Sequence, residues 1–353
     1  MAHQRVMDEL TKFKNKVDAP AVIGAVTTAD ELIAIEAIGT RSRTDDQPVT
    51  VEDQWHLGSC TKSITALLYA ALVEAGIAEW EVPLTDLFGD VHASSSAIAS
   101  GWENVTIDDL LRCRGGVPAN PTTKQMLAGH KSTASPTDQR CRAVERVLAE
   151  EPKNPGSFLY SNLGYALVGA AIDRLTGLPF EEAMVEHVFR PLGISSAGFG
   201  PPPVIAGHRP RVRIGPMLAG KGSPIGPDDD EPADNPVVLT PAGRIHITIA
   251  DWAKILRVFL NDGEPLVSPE LIEHLLSDPG ADEKGRSMSM GWAGGGALGV
   301  THAMQGSNTL WAATALLDTK RQRAGLTVAN DGRMSVITGS AHLAAGLLRV
   351  TRT

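Results

Sequence analysis

Strand-like runs crowd the two ends of this 353-residue chain and are scarce between them, and that division restricts its fold more than any other feature. Residues 21–27 (AVIGAVT) and 31–38 (ELIAIEAI) flank Ala29-Asp30 and read as two strands joined by a short hairpin turn. Residues 287–292, 299–304, 309–317 and 324–329 are strand-like too, with the polar turn Asp318-Thr319-Lys320-Arg321-Gln322 between the last two. Neither set can bury a face of its own, so the two must share one sheet and what lies between them is an insertion. Val6, Leu10, Phe13 and Val17 form an apolar stripe that predicts a helix over 3–17, and residues 336–350 close the chain as another. The expected fold class is α/β of the α+β type. An antiparallel β-sheet built from 1–77 plus 239–353 is flanked by helices from both termini, and a mostly helical domain, 78–238, is inserted in it.

The insertion alternates short helical patterns (106–111, 137–148, 160–175, 180–189) with Pro- and Gly-rich loops, while residues 198–235 have no periodicity. That long irregular loop holds Asp228-Asp229-Asp230-Glu231, which reads as a solvated acidic tip rather than a metal loop. Beyond it, helices are expected over 248–260 and from Ser268-Pro269-Glu270, an N-cap followed by Pro and an early acid. A formal net charge of −9 leaves no basic footprint for nucleic acid or an anionic membrane. Three cysteines, Cys60, Cys113 and Cys141, cannot all pair and form no CxxC, which argues against a disulfide scaffold or a zinc site; no metal and no cofactor is expected. The first residues lack an apolar signal core and no apolar run approaches membrane-spanning length. The expectation is a soluble, cytoplasmic protein, unless a leader has been trimmed.

Candidate chemistry starts where Trp55-His56-Leu57 turns, at Gly58-Ser59, into a helix. Ile64, Leu67, Leu68, Leu72 and Val73 recur there at helical spacing, which predicts one buried face. Ser59 and Lys62 stand three apart, so both side chains leave the same side of the first turn. A hydroxyl at the positive end of a helix with an amine beside it suits a nucleophile and its base. The quartet equally fits a Ser N-cap followed by a solvated Lys, so it needs partners elsewhere. Tyr160 and Asn162 fall where the turn at Pro155-Gly156 becomes a helix, a position that can present side chains to a cleft; a core Tyr and a capping Asn are the plainer alternatives. In Thr301-His302-Ala303-Met304-Gln305-Gly306-Ser307, Gly306 allows close backbone approach at a strand edge. The N–H of Ser307 could then join that of Ser59 as two donors to one oxygen. A Gly bulge in an ordinary strand is the alternative there.

Ser59-Cys60-Thr61-Lys62, Tyr160-Ser161-Asn162 and the Gly306-Ser307 strand, in that order, resemble the three motifs of the serine β-lactamase and penicillin-binding-protein superfamily. The nearest likeness is to its class C β-lactamase-like branch and the family VIII carboxylesterases. Residues 110–118 (LLRCRGGVP), 160–198 and 241–246 (PAGRIH) are similar to segments flanking those motifs, so the resemblance runs from about Trp55 to about Asp331. It implies a β-lactamase/transpeptidase-like fold, with Ser59, Lys62 and Tyr160 catalytic and Asn162, Gly306, Ser307, His302 and Met304 around the substrate and its oxyanion. One departure matters. The family's third motif is Lys-Thr-Gly or His-x-Gly, whereas Met304-Gln305-Gly306 stands here, with His302 two residues early. In β-lactamases that basic residue helps hold the substrate carboxylate; Met304 has no charge, so the anchor is missing unless His302 or Arg114 reaches in. Cys113, in place of the family's usual His, is a milder departure.

The expectation is a serine carboxylesterase for uncharged, short-chain, small-molecule esters, acting through an acyl-enzyme on Ser59. A β-lactamase or D-amino-acid peptidase or amidase of the same fold is the alternative, and a catalytically silent binding protein a further one. A free lysine has a pKa near ~10.4, so a neutral Lys62 at pH 7 would cost about 4–5 kcal/mol if nothing shifted it. A Lys62 ammonium would in turn favour a Tyr160 phenolate, which makes the two a coupled relay in which either could hold the proton.

Overall fold

The computed structural model describes residues 1–90, 98–214 and 217–351. Residues 91–97 of the expected helical insertion and 215–216 of the expected irregular loop lie outside the described residues. The chain opens with helix α1 (Ala2–Val17), the hairpin β1 (Ala21–Thr28) and β2 (Leu32–Gly39), and a two-residue strand β3 (Trp55–His56). One 3-10 turn, Gly58–Cys60, leads into α2 (Thr61–Glu74). Two longer helices follow, α3 (Pro136–Leu148) and α4 (Asn162–Thr176). Short strands β4 (Gly198–Phe199) and β5 (Ile245–Ile247) precede α5 (Ile249–Leu260). The last part holds β6 (Ala293–Gly294), β7 (His302–Ser307), β8 (Ala312–Asp318), β9 (Arg323–Ala329) and the closing helix α6 (Met334–Val350).

The first hairpin and the late strands do share one sheet, ordered β6-β7-β8-β9-β1-β2. β1 pairs antiparallel with β9, from Val22 opposite Ala329 to Thr28 opposite Arg323. Alternation along β1 then separates two layers. Val22 and Val26 join Val6 and Leu10 of α1 and Leu343 and Leu347 of α6, while Ile23 and Ala25 enter the larger core with α2 and α5. Gly24 lets the terminal helices come down on the sheet: a Cβ there would lie 2.8 Å from Leu347 Cδ1 and 2.9 Å from Leu10 Cδ2.

The stretch 198–235, expected to be an irregular loop, carries short paired strands, Gly207–His208 with Pro224–Ile225 and Val212–Ile214 with Met217–Ala219. Other details differ from the sequence expectation too. The strand expected over 299–304 runs His302–Ser307, because Gly299 ends a 3-10 turn in the left-handed region at φ 75. Residues 287–292 form a turn closed by a Ser289–Trp292 bridge around Gly291, at φ +78, instead of a strand. Helix α2 is buried from Thr61 through Leu72 on every side, not along one face. It is enclosed by the turn Thr240–Gly243, by α4 and by the helix Pro269–Leu276. No described helix is long and apolar enough to cross a membrane.

Helices α3 and α4 are joined through a buried charge cluster. Arg140 of α3 has no exposed side-chain surface. It donates to both carboxylate oxygens of Asp173 on α4, at 2.7 and 2.9 Å, and to both of Glu181, at 3.0 Å. Removing the guanidinium would strand two acids in a low-dielectric interior. Arg140→Ala is therefore expected to lower the unfolding free energy by about 3–5 kcal/mol in a urea titration. A loss under about 1 kcal/mol would show that Asp173 and Glu181 recover water on their own.

Candidate active site

The position of Ser59 follows from the strand and turn before it. β3 pairs with β5, Trp55 opposite Ile247 and His56 opposite His246. Gly58 then turns the chain with φ +51, so close to the late strand that a Cβ would strike the Ser307 nitrogen at 2.4 Å. From Trp55 to Leu72 each residue is buried except Ser59. Ser59 sits inside the 3-10 turn and Cys60 is the residue before α2, so Ser59 does not cap that helix.

Lys62 lies on the first turn of α2 with no exposed surface. Its Nζ donates to Asn162 Oδ1 at 2.6 Å and to the Ala242 carbonyl at 2.7 Å, and it stands 3.3 Å from Ser59 Oγ. None of the three is a carboxylate, so burial dominates and pushes the Lys62 pKa down to about 7. Two fixed acceptors take two N–H bonds, and the remaining direction faces Ser59. In the neutral amine that direction is the lone pair, aimed to receive the Ser59 proton. The Ala242 carbonyl reaches this spot because Gly169 of α4 admits Pro241; a Cβ on Gly169 would lie 2.2 Å from Pro241 Cγ.

Ser161, not Asn162, caps α4, accepting the Gly164 N–H at 2.8 Å. That leaves the Asn162 amide for Lys62. Lys62 Nζ lies 4.8 Å from the Tyr160 ring centre. Burial pushes the Tyr160 phenol well above its ordinary pKa even though the neighbouring Ser59 hydroxyl opposes the shift. The sequence leaves open which of the two holds the proton; burial pushes Lys62 toward the neutral amine and Tyr160 toward the phenol.

The third wall is β7. A Cβ on Gly306 would lie 2.0 Å from the Leu57 oxygen and 2.7 Å from the Ser59 nitrogen, so strand and turn meet backbone to backbone. This contact brings the peptide nitrogens of Ser59 and Ser307 together. The other two residues expected there lie elsewhere. Met304 is 4% exposed and packs in the core, and its carbonyl accepts the Cys60 thiol at 3.7 Å. His302 directs Nε2 to the Leu276 carbonyl at 3.1 Å and Nδ1 to the Thr301 hydroxyl at 3.0 Å. Arg114 donates to the carbonyls of Pro279 and Gly280. Both candidate replacements for the missing cation are committed to backbone carbonyls at and just beyond the end of the helix Pro269–Leu276.

Two features escaped the sequence reading. Asn120 Oδ1 accepts from Asn162 Nδ2 at 2.7 Å, which keeps the Asn162 oxygen toward Lys62. Nothing in Ala119-Asn120-Pro121 marks it. A cavity of about 260 Å³, lined by Trp102, Asn120, Arg142, Arg146, Leu163 and Val238 among others, shares Asn120 with this network but not Ser59. The second feature is a buried pair, His56 and Asp234, 2.9 Å apart, whose imidazole also holds the Gly58 N–H at 3.0 Å. A histidine in the strand directly before a Gly-Ser turn was the available signal.

The beta-lactamase family model matches residues 8–337. A lovastatin esterase of Penicillium rubens is 24% identical over 301 residues, which are 75% of this chain and 71% of the relative. Penicillin-binding protein 4 of Amycolatopsis lactamdurans is 26% identical over 270 residues, 74% of this chain and 65% of the relative. In fold, the chain resembles the class C beta-lactamase from Rhodobacter sphaeroides, with a TM-score of 0.73 at 17% identity over 98% of this chain and 99% of that one. It also resembles the D-amino acid amidase from Ochrobactrum anthropi, with a TM-score of 0.76 at 18% identity over 99% and 97%.

The Lys62 environment sets the sign of a pH effect. Only the deprotonated amine can accept the Ser59 proton, so kcat/KM for an ester should rise with pH through about 7 and level off above it. Lys62→Arg, which cannot lose its proton, should lower kcat/KM by at least about 100-fold. A profile that is flat through neutrality would remove Lys62 as the base.

Proposed function

The chain belongs to the beta-lactamase family, and on that premise we propose that it is a serine carboxylesterase acting on uncharged short-chain esters, with Ser59 as nucleophile. Family members are serine hydrolases, and esterases, an amidase and β-lactamases are all among the proteins this chain resembles. The observation that carries the choice among them is the third motif. Met304 is in the core, while His302 and Arg114 face backbone carbonyls. A substrate carboxylate placed there would lose a charge-assisted hydrogen bond of roughly 1.5–3 kcal/mol. A neutral ester loses nothing.

In the proposed reaction Ser59 Oγ attacks the ester carbonyl carbon as its proton passes to neutral Lys62 Nζ, 3.3 Å away. The oxyanion that forms is held by the peptide N–H groups of Ser59 and Ser307 beside Gly306, a contribution of about 3–4 kcal/mol per donor in comparable sites. Collapse expels the alcohol, which takes a proton from the Lys62–Tyr160 pair. Tyr160, which burial keeps as a phenol, gives that proton to the departing oxygen, and Lys62 reloads it. Asn162 and Asn120 keep the amine on axis. Water then repeats the sequence on the acyl-enzyme and restores Ser59. The same machinery without the final water step would describe a silent binding protein, which would acylate and stop.

A panel of p-nitrophenyl esters from acetate to laurate, with nitrocefin and a D-amino acid amide alongside, decides the substrate class. The expected result is turnover of the short esters that Ser59→Ala abolishes, together with an acyl adduct on Ser59 by intact mass. Nitrocefin or amide hydrolysis more efficient than that of every ester would overturn the assignment. Ester hydrolysis by Ser59→Ala at the wild-type rate would overturn the nucleophile.

A further inference from the structure

His56 is fully buried, and its ring stacks on Trp311 with centroids 5.3 Å apart. Its Nδ1 stands 3.0 Å from the Gly58 peptide nitrogen, which can only donate. Nδ1 therefore carries the lone pair, and the ring proton belongs on Nε2. That proton faces Asp234 Oδ2 at 2.9 Å. The Asp234 carboxylate, 3% exposed, also receives Arg244 Nε at 3.2 Å, the Asn235 N–H at 2.7 Å and Asn308 Nδ2 at 3.1 Å. Burial works against its charge, but the His56 and Arg244 contacts outweigh it and hold the pKa below the usual carboxylate range. Asn308 is itself fixed, its Oδ1 accepting the Leu310 and Trp311 N–H groups at 3.2 and 3.4 Å.

The places of these residues in the chain give the arrangement its meaning. Gly58 is the residue before Ser59, and Asn308 is the residue after Ser307. The peptide nitrogens proposed to bind the oxyanion thus lie between two anchors that end on the same carboxylate. We infer that Asp234, acting through His56 on one side and Asn308 on the other, sets the separation of the Ser59 and Ser307 N–H groups and is a positioning residue for the oxyanion. This inference rests on the reading of Ser59 as nucleophile. Asp234 touches no reacting atom. Loosening it leaves both donors in place but lets the gap between them vary, which harms the tetrahedral state more than the bound ester.

The test uses Asp234→Asn, which keeps the shape and removes the charge, and Asn308→Ala, which cuts the strand-side anchor alone. For each folded variant kcat should fall about 10- to 100-fold while KM stays within about twofold. Affinity for a trifluoromethyl ketone, which forms an anionic tetrahedral adduct, should fall by the same factor as kcat. If Asp234→Asn does not fold, Asn308→Ala carries the same expectation. A lowered melting temperature with kcat and ketone affinity unchanged would overturn the inference, because the network would then be structural only. A fluorophosphonate separates the two levels of the argument. An adduct on a residue other than Ser59 in the wild type overturns the nucleophile and this inference with it. A Ser59 adduct that Asp234→Asn forms at the wild-type rate overturns this inference alone.

Discussion

An amine with no exposed surface and no carboxylate partner is the constraint from which the rest of the site follows. Moving an ammonium out of water costs several kcal/mol even after relaxation, so a buried lysine must find an anion or give up its proton. Lys62 is supplied with an amide oxygen, a peptide carbonyl and a serine hydroxyl, all neutral. The titratable groups closest in effect are the thiols of Cys60 and Cys113, and burial pushes both upward, so neither supplies a counter-charge. The Cys113 thiol, held protonated by burial, stays a neutral neighbour. The all-round burial of α2 thus has a chemical consequence as well as a packing one: it takes Lys62 out of water and lowers its pKa.

The second constraint is main-chain contact. Gly58 and Gly306 press the Ser59 turn onto β7 so closely that neither position tolerates a Cβ. Peptide groups, not side chains, therefore form the wall opposite Lys62. This explains how the third motif can depart from the family pattern without dismantling the site. Gly306 is indispensable to the approach, whereas residue 304 points into the core and contributes its carbonyl to Cys60. What the departure alters is the charge available at that strand: Met304 carries none.

Much of the architecture was legible because it rests on alternation and periodicity. The shared sheet followed from strand runs that had no other face to bury, and β1, β2, β8 and β9 form as their residues suggest. The motif residues were legible as types and order. Their roles were less so, because roles depend on direction. Met304 reads as a cleft residue by its place in the motif, and only the pleat shows it turned inward. His302 reads as a stand-in cation, but its ring is fixed by Leu276 from a helix distant in sequence. Whether Lys62 or Tyr160 holds the proton could not be read from the sequence, because burial, which no local pattern reveals, pushes the Tyr160 phenol upward and the Lys62 amine downward. Asn120 and Asp234 sit in aperiodic loops, and their partners, Asn162 and His56, are 42 and 178 positions away.

The interior treats its two central ionisable groups in opposite ways, and the difference matches the role proposed for each. Asp234 is surrounded by donors, one of them the Arg244 guanidinium, so it stays charged and its partners stay fixed. Such a group cannot exchange a proton near neutrality without dismantling four contacts, which suits it to hold a geometry. Lys62 has acceptors that bind its N–H groups but give its charge no partner, so its two protonation states lie close in free energy. That balance suits it to move a proton at little cost in either direction. Exchanging the two environments would leave a lysine locked as ammonium beside Ser59 and a carboxylate free to protonate under the oxyanion wall. Rigidity at Asp234 and near-degeneracy at Lys62 are therefore one design seen from two sides of the same serine.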